Sequence, residues 1–290
     1  MKRPAGIVLG ATLVAALCVI SIPAAAQKKQ APTTGTQKSN APQLKPLPPG
    51  GPTPRQADGH PDLSGVWFPG SYGTGDLNAA GGLDGNSMIV RREFDAKKTP
   101  EEKPSFQPWA AAKLKEMYPT EVEVELKRPS VNCMPRGVPG MFTVNGYPIQ
   151  LITTPGQFVQ LMELNNNFRV VPSDGRPHAK DPDPTFNGDG VAHWDGDTLV
   201  IDTVAIDEQT WNDREGWFHS DQEHVIERLT RPSLNYLIYQ VTIEDPKVLT
   251  KPWNSVPHTW TLGHEPLGEY YCTHNEELYQ FSTLKKQESK

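Results

Sequence analysis

Two apolar runs that meet at a dipeptide constrain the fold of this chain more than any other feature. The run GDGVAHW ends at Asp195-Gly196 and the run TLVIDTV follows. This spacing predicts a two-residue β-hairpin, because Asp and Gly tolerate the positive φ angles of such a turn. A second pair of runs meets around residues 231–235. Residues 187–246 therefore predict an antiparallel meander.

The rest of the chain also favours strands. Turn signals recur at short intervals, and only residues 106–117, with Pro108 in the first turn, predict a helix. Runs such as FVQLMEL and YLIYQVTI are apolar on both faces, which fits a barrel with a lined interior or the centre of a sandwich. We expect an all-β fold, an antiparallel lipocalin-like barrel with a β-sandwich as the alternative, and one short helix near 106–117. The predicted strands lie near residues 64–68, 88–94, 121–126, 148–154, 157–164, 167–172, 188–194, 198–206, 222–231, 234–244, 257–263 and 268–274.

The N-terminus carries the pattern of a secretory signal peptide. Two basic residues precede an apolar run over residues 5–22, and an Ala-Ala-Ala triplet ending at Ala26 supplies a cleavage site. Because the run is short for a membrane span, we expect residues 1–26 to be removed and no stable span to remain. An uncleaved anchor is the alternative. The mature protein is predicted to be periplasmic or secreted.

The predicted mature chain consists of a linker and one domain. Residues 27–57 are rich in Pro, Gly, Lys and Thr, so we predict a disordered linker. Residues 58–284 suit one β-barrel domain, and residues 285–290 form a tail. The sequence has a net charge of −6, which becomes −8 without the two basic residues of the signal. This acidic balance, without a basic stripe, argues against nucleic acid as a partner.

The cysteines predict one cross-link. Of the three in the sequence, Cys18 lies in the signal, which leaves Cys133 and Cys272. In an oxidising compartment such a pair indicates a disulfide. The alternative is a metal site that combines Cys272 with His274 and a following glutamate. The chain has no GxGxxG, P-loop or HExxH motif, so we predict neither a cofactor nor a metal.

A resemblance accompanies these patterns. Gly65-Val66-Trp67 resembles the G-x-W that opens the first strand of lipocalins and related calycin barrels. A longer pattern includes CMPRGVP from Cys133, DGRPH from Asp174, WDGDTLV from Trp194 and a closing Pro-Trp at Trp253. Over about residues 54–280 the chain resembles a large family of secreted bacterial proteins with no established activity. The family closes with Cys-His-Glu, whereas here a Thr follows the last cysteine. The resemblance implies the barrel and the compartment and names no reaction.

The candidate catalytic residues lie between 200 and 230. Alternation along a strand turns His224 and Arg228 to one face and Glu227 to the other. A buried Glu or His has a shifted pKa and can act as an acid or a base, and the candidate set is Glu227, His219, His224 and Asp202. The alternative is structural, with Glu227 and Arg228 bonded to partners such as Asp202 or Arg169. We predict an interior position for three carboxylates that interrupt apolar strands, namely Glu163, Asp202 and Glu227.

The candidate ligand-binding residues are more scattered. Trp211 and Trp217 flank the polar loop 207–221, where aromatic rings can stack on a ligand. The Asp181–Asp189 loop predicts a polar crossing, with cation binding as the alternative. The full candidate set is Trp211, Trp217, Glu163, Arg169, Arg176, His178, His193 and Arg228.

Three functions follow from the sequence. The leading prediction is a binder of a small apolar or amphipathic molecule in one pocket inside the barrel. The second is an acid/base enzyme in the same pocket, an isomerase, hydratase or hydrolase. The third is an envelope interaction protein without a ligand. No G-x-S-x-G elbow supports a serine triad at Ser220.

Overall fold

The structure is a computed structural model that describes residues 48–69, 104–117, 127–143, 147–213, 216–255, 257–270 and 272. The predicted signal peptide, the first part of the predicted linker and the predicted strands 88–94 and 121–126 lie outside the described residues. The predicted tail lies outside them too.

Ten strands and one α-helix occupy the described residues. The helix is α1 (Pro108–Met117), and it begins at the proline that the sequence placed in its first turn. The strands are β1 (Gly65–Phe68), β2 (Ile149–Thr154), β3 (Gln157–Met162), β4 (Asn167–Pro172), β5 (Asp189–Asp195), β6 (Thr198–Val204), β7 (His224–Ser233), β8 (Tyr236–Glu244), β9 (Trp253–Asn254) and β10 (His258–Leu262).

The strands form one antiparallel meander that curls into a nearly closed barrel. The order is β4-β3-β2-β1-β10-β8-β7-β6-β5, with β9 added against β8. Because β1 pairs with both β2 and β10, the first and last strands meet. The predicted all-β barrel and its single short helix are confirmed.

The barrel has one seam, between β4 and β5. These strands lie side by side without a ladder of backbone hydrogen bonds in the described structure. Asn187, just before β5, bridges the seam because its side-chain amide donates to the Phe168 carbonyl over 3.0 Å. The loop of residues 173–188 joins the two strands around the outside.

The β5–β6 hairpin has the predicted tight turn, one residue later than predicted. Asp195 pairs with Thr198, so the turn residues are Gly196 and Asp197. Gly196 has a φ of 58°, and Asp197 is not among the residues with positive φ. A glycine alone in the left-handed region at the first turn position is one of the two favoured ways to join twisted strands.

Side chains fill the interior between the described strands. Trp67, Tyr239 and Trp260 are almost fully buried there. Phe142, from the segment 133–143, packs its ring 5.5 Å from Tyr239 and 6.0 Å from Trp260. The strands that are apolar on both faces therefore contribute to a packed core. The groove described below lies on the outside of the barrel.

The ends of the domain differ from prediction in two places. Residues 48–57, predicted as linker, lie against the β7–β8 turn, where Leu234 and Asn235 donate amides to the carbonyls of Gly51 and Pro49, both over 3.1 Å. Residues 268–270 and 272 are irregular where a strand was predicted.

The predicted Cys133–Cys272 disulfide is present, with the Cα atoms 5.6 Å apart. No helix in the described parts of the chain combines the length and apolarity needed to cross a membrane.

Candidate functional site

A buried ion pair crosses the barrel interior. The Arg169 guanidinium on β4 donates to Glu227 on β7 over 2.6 Å, and both side chains are almost completely buried. Arg169 also donates to Gln160 over 3.2 Å and to Thr203 over 2.5 Å. We call Arg169 and Glu227 the interior ion pair. Buried charges are better tolerated when further hydrogen bonds satisfy them, and Gln160 and Thr203 supply such bonds to Arg169.

Tyr239 completes the interior ion pair from β8. Its hydroxyl donates to the second oxygen of Glu227 over 3.1 Å. Burial raises the pKa of Tyr239 well above its usual value, and the nearby Glu227 carboxylate adds to this. Glu227 therefore bonds to Arg169, as the structural alternative proposed, and its side chain is fully buried.

Four residues on the outer face of β5 to β8, together with His178 from the loop 173–188, form what we call the outer histidine cluster. Asp202 on β6 is its centre, because one oxygen of this carboxylate lies 2.9 Å from His178 Nε2 and 2.7 Å from His224 Nε2. The other ring nitrogens face further carboxylates: His178 Nδ1 lies 3.0 Å from Asp189, and His224 Nδ1 lies 3.3 Å from Glu244. The side chains keep 27–43% of their exposure. The cluster is therefore open to solvent and to solutes.

Two carboxylates of the cluster affect the ionisation of His178. Partial burial lowers the pKa of His178, but hydrogen bonds with Asp202 and Asp189 and the charges of these carboxylates outweigh burial. The net shift of this pKa is upward. His178 therefore binds a proton more tightly than an isolated histidine does.

Two of the three carboxylates predicted to be interior lie elsewhere. Alternation along β6 turns Thr203 inward and Asp202 outward, so the interior prediction is wrong for Asp202. Glu163 follows β3 and is half-buried, where it accepts the Gly268 amide over 2.6 Å. Only Glu227 is interior. The apolar neighbours of Asp202 misled the prediction, because outer-face positions of these strands are also half-covered.

His219 lies in a second buried polar group, in the loop after β6. Its Nε2 is 2.8 Å from Thr210, and its Nδ1 is 3.5 Å from Glu223, an ion-pair distance without a hydrogen bond. Asn212 donates to the other Glu223 oxygen over 2.5 Å. Burial raises the pKa of Glu223 to about 7. The charge of His219 and the hydrogen bond from Asn212 lower this pKa, and the charge of Asp245 raises it further. Sequence reasoning missed Glu223, although its spacing of four from His219 was a usable signal.

The neighbouring Ser220 has a structural environment. Its hydroxyl and its amide both donate to the Asp245 carboxylate over 2.8 Å. Asp245 also accepts the amides of Lys247 and Val248, both over 3.1 Å. This carboxylate therefore ties the loop before β7 to the turn after β8.

The remaining predicted ligand residues are not brought together. Trp217 packs edge-on against Phe106 and Trp253, and Trp211 packs on α1. Three others are exposed or half-exposed, with Arg176 paired to Asp174, Arg228 paired to Asp195, and His193 on the outer face of β5. Of the candidate ligand-binding set, His178 is the one that joins the candidate catalytic residues Asp202 and His224.

A groove of about 640 Å³ opens beside the outer histidine cluster. Its floor begins at Val204, which lies two residues after Asp202 on the same face of β6 and opposite Asp189. Apolar residues form most of its surface, namely Pro182, Pro184, Val204, Ala205 and Ile206. Three acidic residues and a glutamine complete the lining, namely Asp207, Glu208, Asp221 and Gln209.

The backbone at the groove is unusual. Ala205 has a φ of 54°, in the left-handed region that residues other than glycine rarely adopt. Such conformations cost about 1–3 kcal/mol and concentrate at functional sites. Its carbonyl accepts the Thr185 amide over 3.1 Å, which fixes the loop 173–188 against the end of β6.

The described residues and the comparisons give no further assignment. Within the described ranges, no group of three or more His, Cys, Asp or Glu side chains is arranged to hold a metal ion. The alternative of cation binding in the Asp181–Asp189 loop required Asp181, Asp183 and Asp189 to share a site. Asp189 instead accepts a hydrogen bond from the Ala179 amide and faces His178. Comparisons with protein-family models, curated proteins and solved structures found no match. The resemblance to a family of secreted bacterial proteins therefore stays a prediction.

Proposed function

We propose that this protein binds a small amphipathic cation in the groove beside the outer histidine cluster. The observation that carries the proposal is the groove itself, whose volume of about 640 Å³ lies within the range of small-molecule sites. Its position differs from the sequence prediction, which placed the ligand inside the barrel. The kind of ligand, small and amphipathic, is retained.

The lining supports a ligand with an apolar body and a positive end. The prolines and the aliphatic residues of the groove offer contact to hydrocarbon. The three acidic lining residues attract a cation, and Lys247 neutralises one of them, Asp221, through an ion pair. Asp207 accepts the Gln209 amide over 2.9 Å, and Glu208 is an exposed carboxylate of the lining. An alkylamine matches this pattern by charge complementarity.

A set of three probes of equal chain length tests this function. Binding of octylammonium, 1-octanol and octanoate to the mature protein is measured by NMR shift perturbation and calorimetry. We expect octylammonium to bind most tightly and octanoate least, with shifts at Val204 and Ile206. Glu208→Lys should weaken octylammonium about threefold to tenfold and leave 1-octanol unchanged, because it reverses one charge at a partly screened site.

Glu265→Lys makes the same charge change at an exposed residue outside the lining and is the matched control. Equal binding of the three probes would contradict the proposed ligand class. No binding of any probe at the groove would contradict the function.

One observation favours a second candidate, an acid/base enzyme. Asp202 and His224, both predicted catalytic residues, meet beside an open groove, whereas Glu227 and His219 are buried among their partners. A titratable pair within reach of a bound molecule is the arrangement that general acid/base catalysis requires. Asp202 would orient the ring through Nε2, and His224 would exchange the proton at Nδ1 after leaving its 3.3 Å contact with Glu244.

Turnover of an activated ester, p-nitrophenyl acetate, provides a first test of this candidate. We expect His224→Gln to lower kcat about a hundredfold if the pair transfers a proton, since general acid/base groups contribute about that much or more. His193→Gln, an exposed histidine on the same face, is the control. Equal rates in the wild type and His224→Gln would remove the hydrolase form of this candidate.

We also propose that the mature protein is periplasmic or secreted. The signal pattern and the Cys133–Cys272 disulfide support this, because disulfides persist in oxidising compartments. Mass spectrometry of the protein from its own cells should give a mature N-terminus at Gln27. A mature protein with free thiols at both cysteines would contradict the compartment.

A further inference from the structure

The outer wall of the groove is fixed at two points. Thr185 is one, because its amide and its carbonyl bond to the chain after β6 over 3.1 and 2.9 Å. His178 is the other, through its ring contacts within the outer histidine cluster. Pro182 and Pro184 line the groove between the two points. At the second point the Ala179 amide also donates to Asp189 over 3.0 Å, so this bond and the contacts of His178 together hold that end of the wall.

Those contacts require a protonated ring. His178 faces Asp189 with Nδ1 at 3.0 Å and Asp202 with Nε2 at 2.9 Å. An imidazolium donates from both nitrogens, whereas either neutral tautomer has only one donor. The neutral ring therefore turns a lone pair toward a carboxylate and loses one of the two hydrogen bonds. Charge-assisted bonds of this kind are stronger than neutral ones.

The charged groups around His178 come from all four neighbouring strands. Asp189 lies on β5, Asp202 on β6 and His224 on β7, while Glu244 on β8 reaches the cluster through His224. Because Asp202 shares one oxygen between both rings, a proton lost from either histidine weakens the centre of the cluster. Negative charge predominates among these groups.

We propose that His178 is a proton-dependent anchor that holds residues 179–184 as the groove wall when the ring is protonated and releases them when it is neutral. The anchor controls ligand access only if the proposed function is correct. The anchoring itself is independent of any ligand. Because the pKa of His178 is raised in the folded protein, the anchor is present below the ordinary imidazole range. It is lost as the pH rises through that raised value.

Cleavage by trypsin after the exposed Lys180 measures release of the wall without a ligand. The cleavage rate of the mature protein is compared with that of a peptide covering residues 173–188, at pH 6 and pH 9. We expect the relative rate in the wild type to rise about threefold to tenfold between the two pH values, the effect of losing one charge-assisted bond at a half-exposed site. His178→Gln carries no ionisable ring and should be cleaved at pH 6 as fast as the wild type at pH 9.

His193→Gln, an exposed histidine of β5 outside the cluster, should behave like the wild type. In the wild type, the Ala179 amide and the His178 ring should titrate together by NMR, because Ala179 shares the Asp189 carboxylate. This second measurement needs no variant to fold. A relative cleavage rate independent of pH, or an Ala179 amide that does not follow His178, would overturn the anchor. Octylammonium binding tests the groove separately, so the two proposals fail independently.

Discussion

The interior ion pair and the outer histidine cluster share strand β7 but occupy opposite environments. His224 and Glu227 are three residues apart on β7, and the pleat turns them to opposite faces of the barrel. Glu227 has a fully buried side chain with both oxygens bonded. The side chains of the cluster, by contrast, keep 27–43% of their exposure.

This difference separates stability from chemistry. A buried charge left without a partner is costly, so the interior ion pair resists change and contributes to the fold. Water screens a half-exposed cluster, so its contacts contribute less energy but its protons exchange with solvent. The functional proposals therefore concern the outer face, although the interior has the stronger electrostatics.

The largest expected effect is the loss of one member of the interior ion pair. Arg169→Met leaves Glu227 buried with only the Tyr239 hydroxyl, and we expect about 3–5 kcal/mol of lost stability. Urea unfolding of the mature protein, followed by tryptophan fluorescence, measures this.

The double variant Arg169→Met with Glu227→Gln should be less destabilised than the sum of the two single variants, because neither charge is then left unpaired. A loss of stability below about 1 kcal/mol for Arg169→Met would contradict the proposed difference between the buried interior and the half-exposed outer face.

Glu223 extends the comparison, because its side chain is buried but one of its two carboxylate oxygens has no hydrogen bond in the described structure. Its pKa of about 7 lies above that of an unfolded Glu, so the folded state binds the proton more tightly. The stability that follows is present below about pH 4.5 and is lost as the pH rises to about 7, with a size on the order of 3 kcal/mol. Glu223→Gln should flatten this slope in urea unfolding series between pH 4 and pH 8. An unchanged slope would show that other groups carry the pH dependence.

Much of the fold could be predicted from the sequence, but the site could not. Apolar alternation and turn residues act locally, so they predicted β4 with its observed bounds and a helix near 106–117, which begins at Pro108 in the structure. The face of Asp202 was mispredicted, because its strand is apolar on both sides and only the closed barrel decides which side is inside. The loop that brings His178 to Asp202 joins residues 24 positions apart, and no local pattern encodes that contact. The groove likewise depends on how two loops meet.

A smaller effect is expected from Asp202→Asn on the outer face. It replaces the charged acceptor shared by His178 and His224 with a neutral amide oxygen, and we expect about 0.5–1 kcal/mol of lost stability after allowing for solvent screening. The loss should be larger at pH 6 than at pH 9, because the pKa of His178 is raised and its protonated form gains most from Asp202. Thermal unfolding at the two pH values measures this. A loss as large as that of Arg169→Met would erase the distinction between the two faces.

The smallest effect is expected at the rim, where Arg228 and Asp195 pair over 2.7 Å with both side chains well exposed. The Arg228 bond, then its charge, lowers the pKa of Asp195. Arg228→Ala should return that pKa toward its usual range, which an NMR titration of the Asp195 carboxyl can follow. The unfolding midpoint should stay within measurement error at any salt concentration, because exposed pairs gain little and are screened. Since Arg228 shares its outward face of β7 with His224, a clear loss of stability would show that partial exposure on this face does not weaken charge pairs. The proposed separation of a stabilising interior from a titratable exterior would then fail at its simplest case.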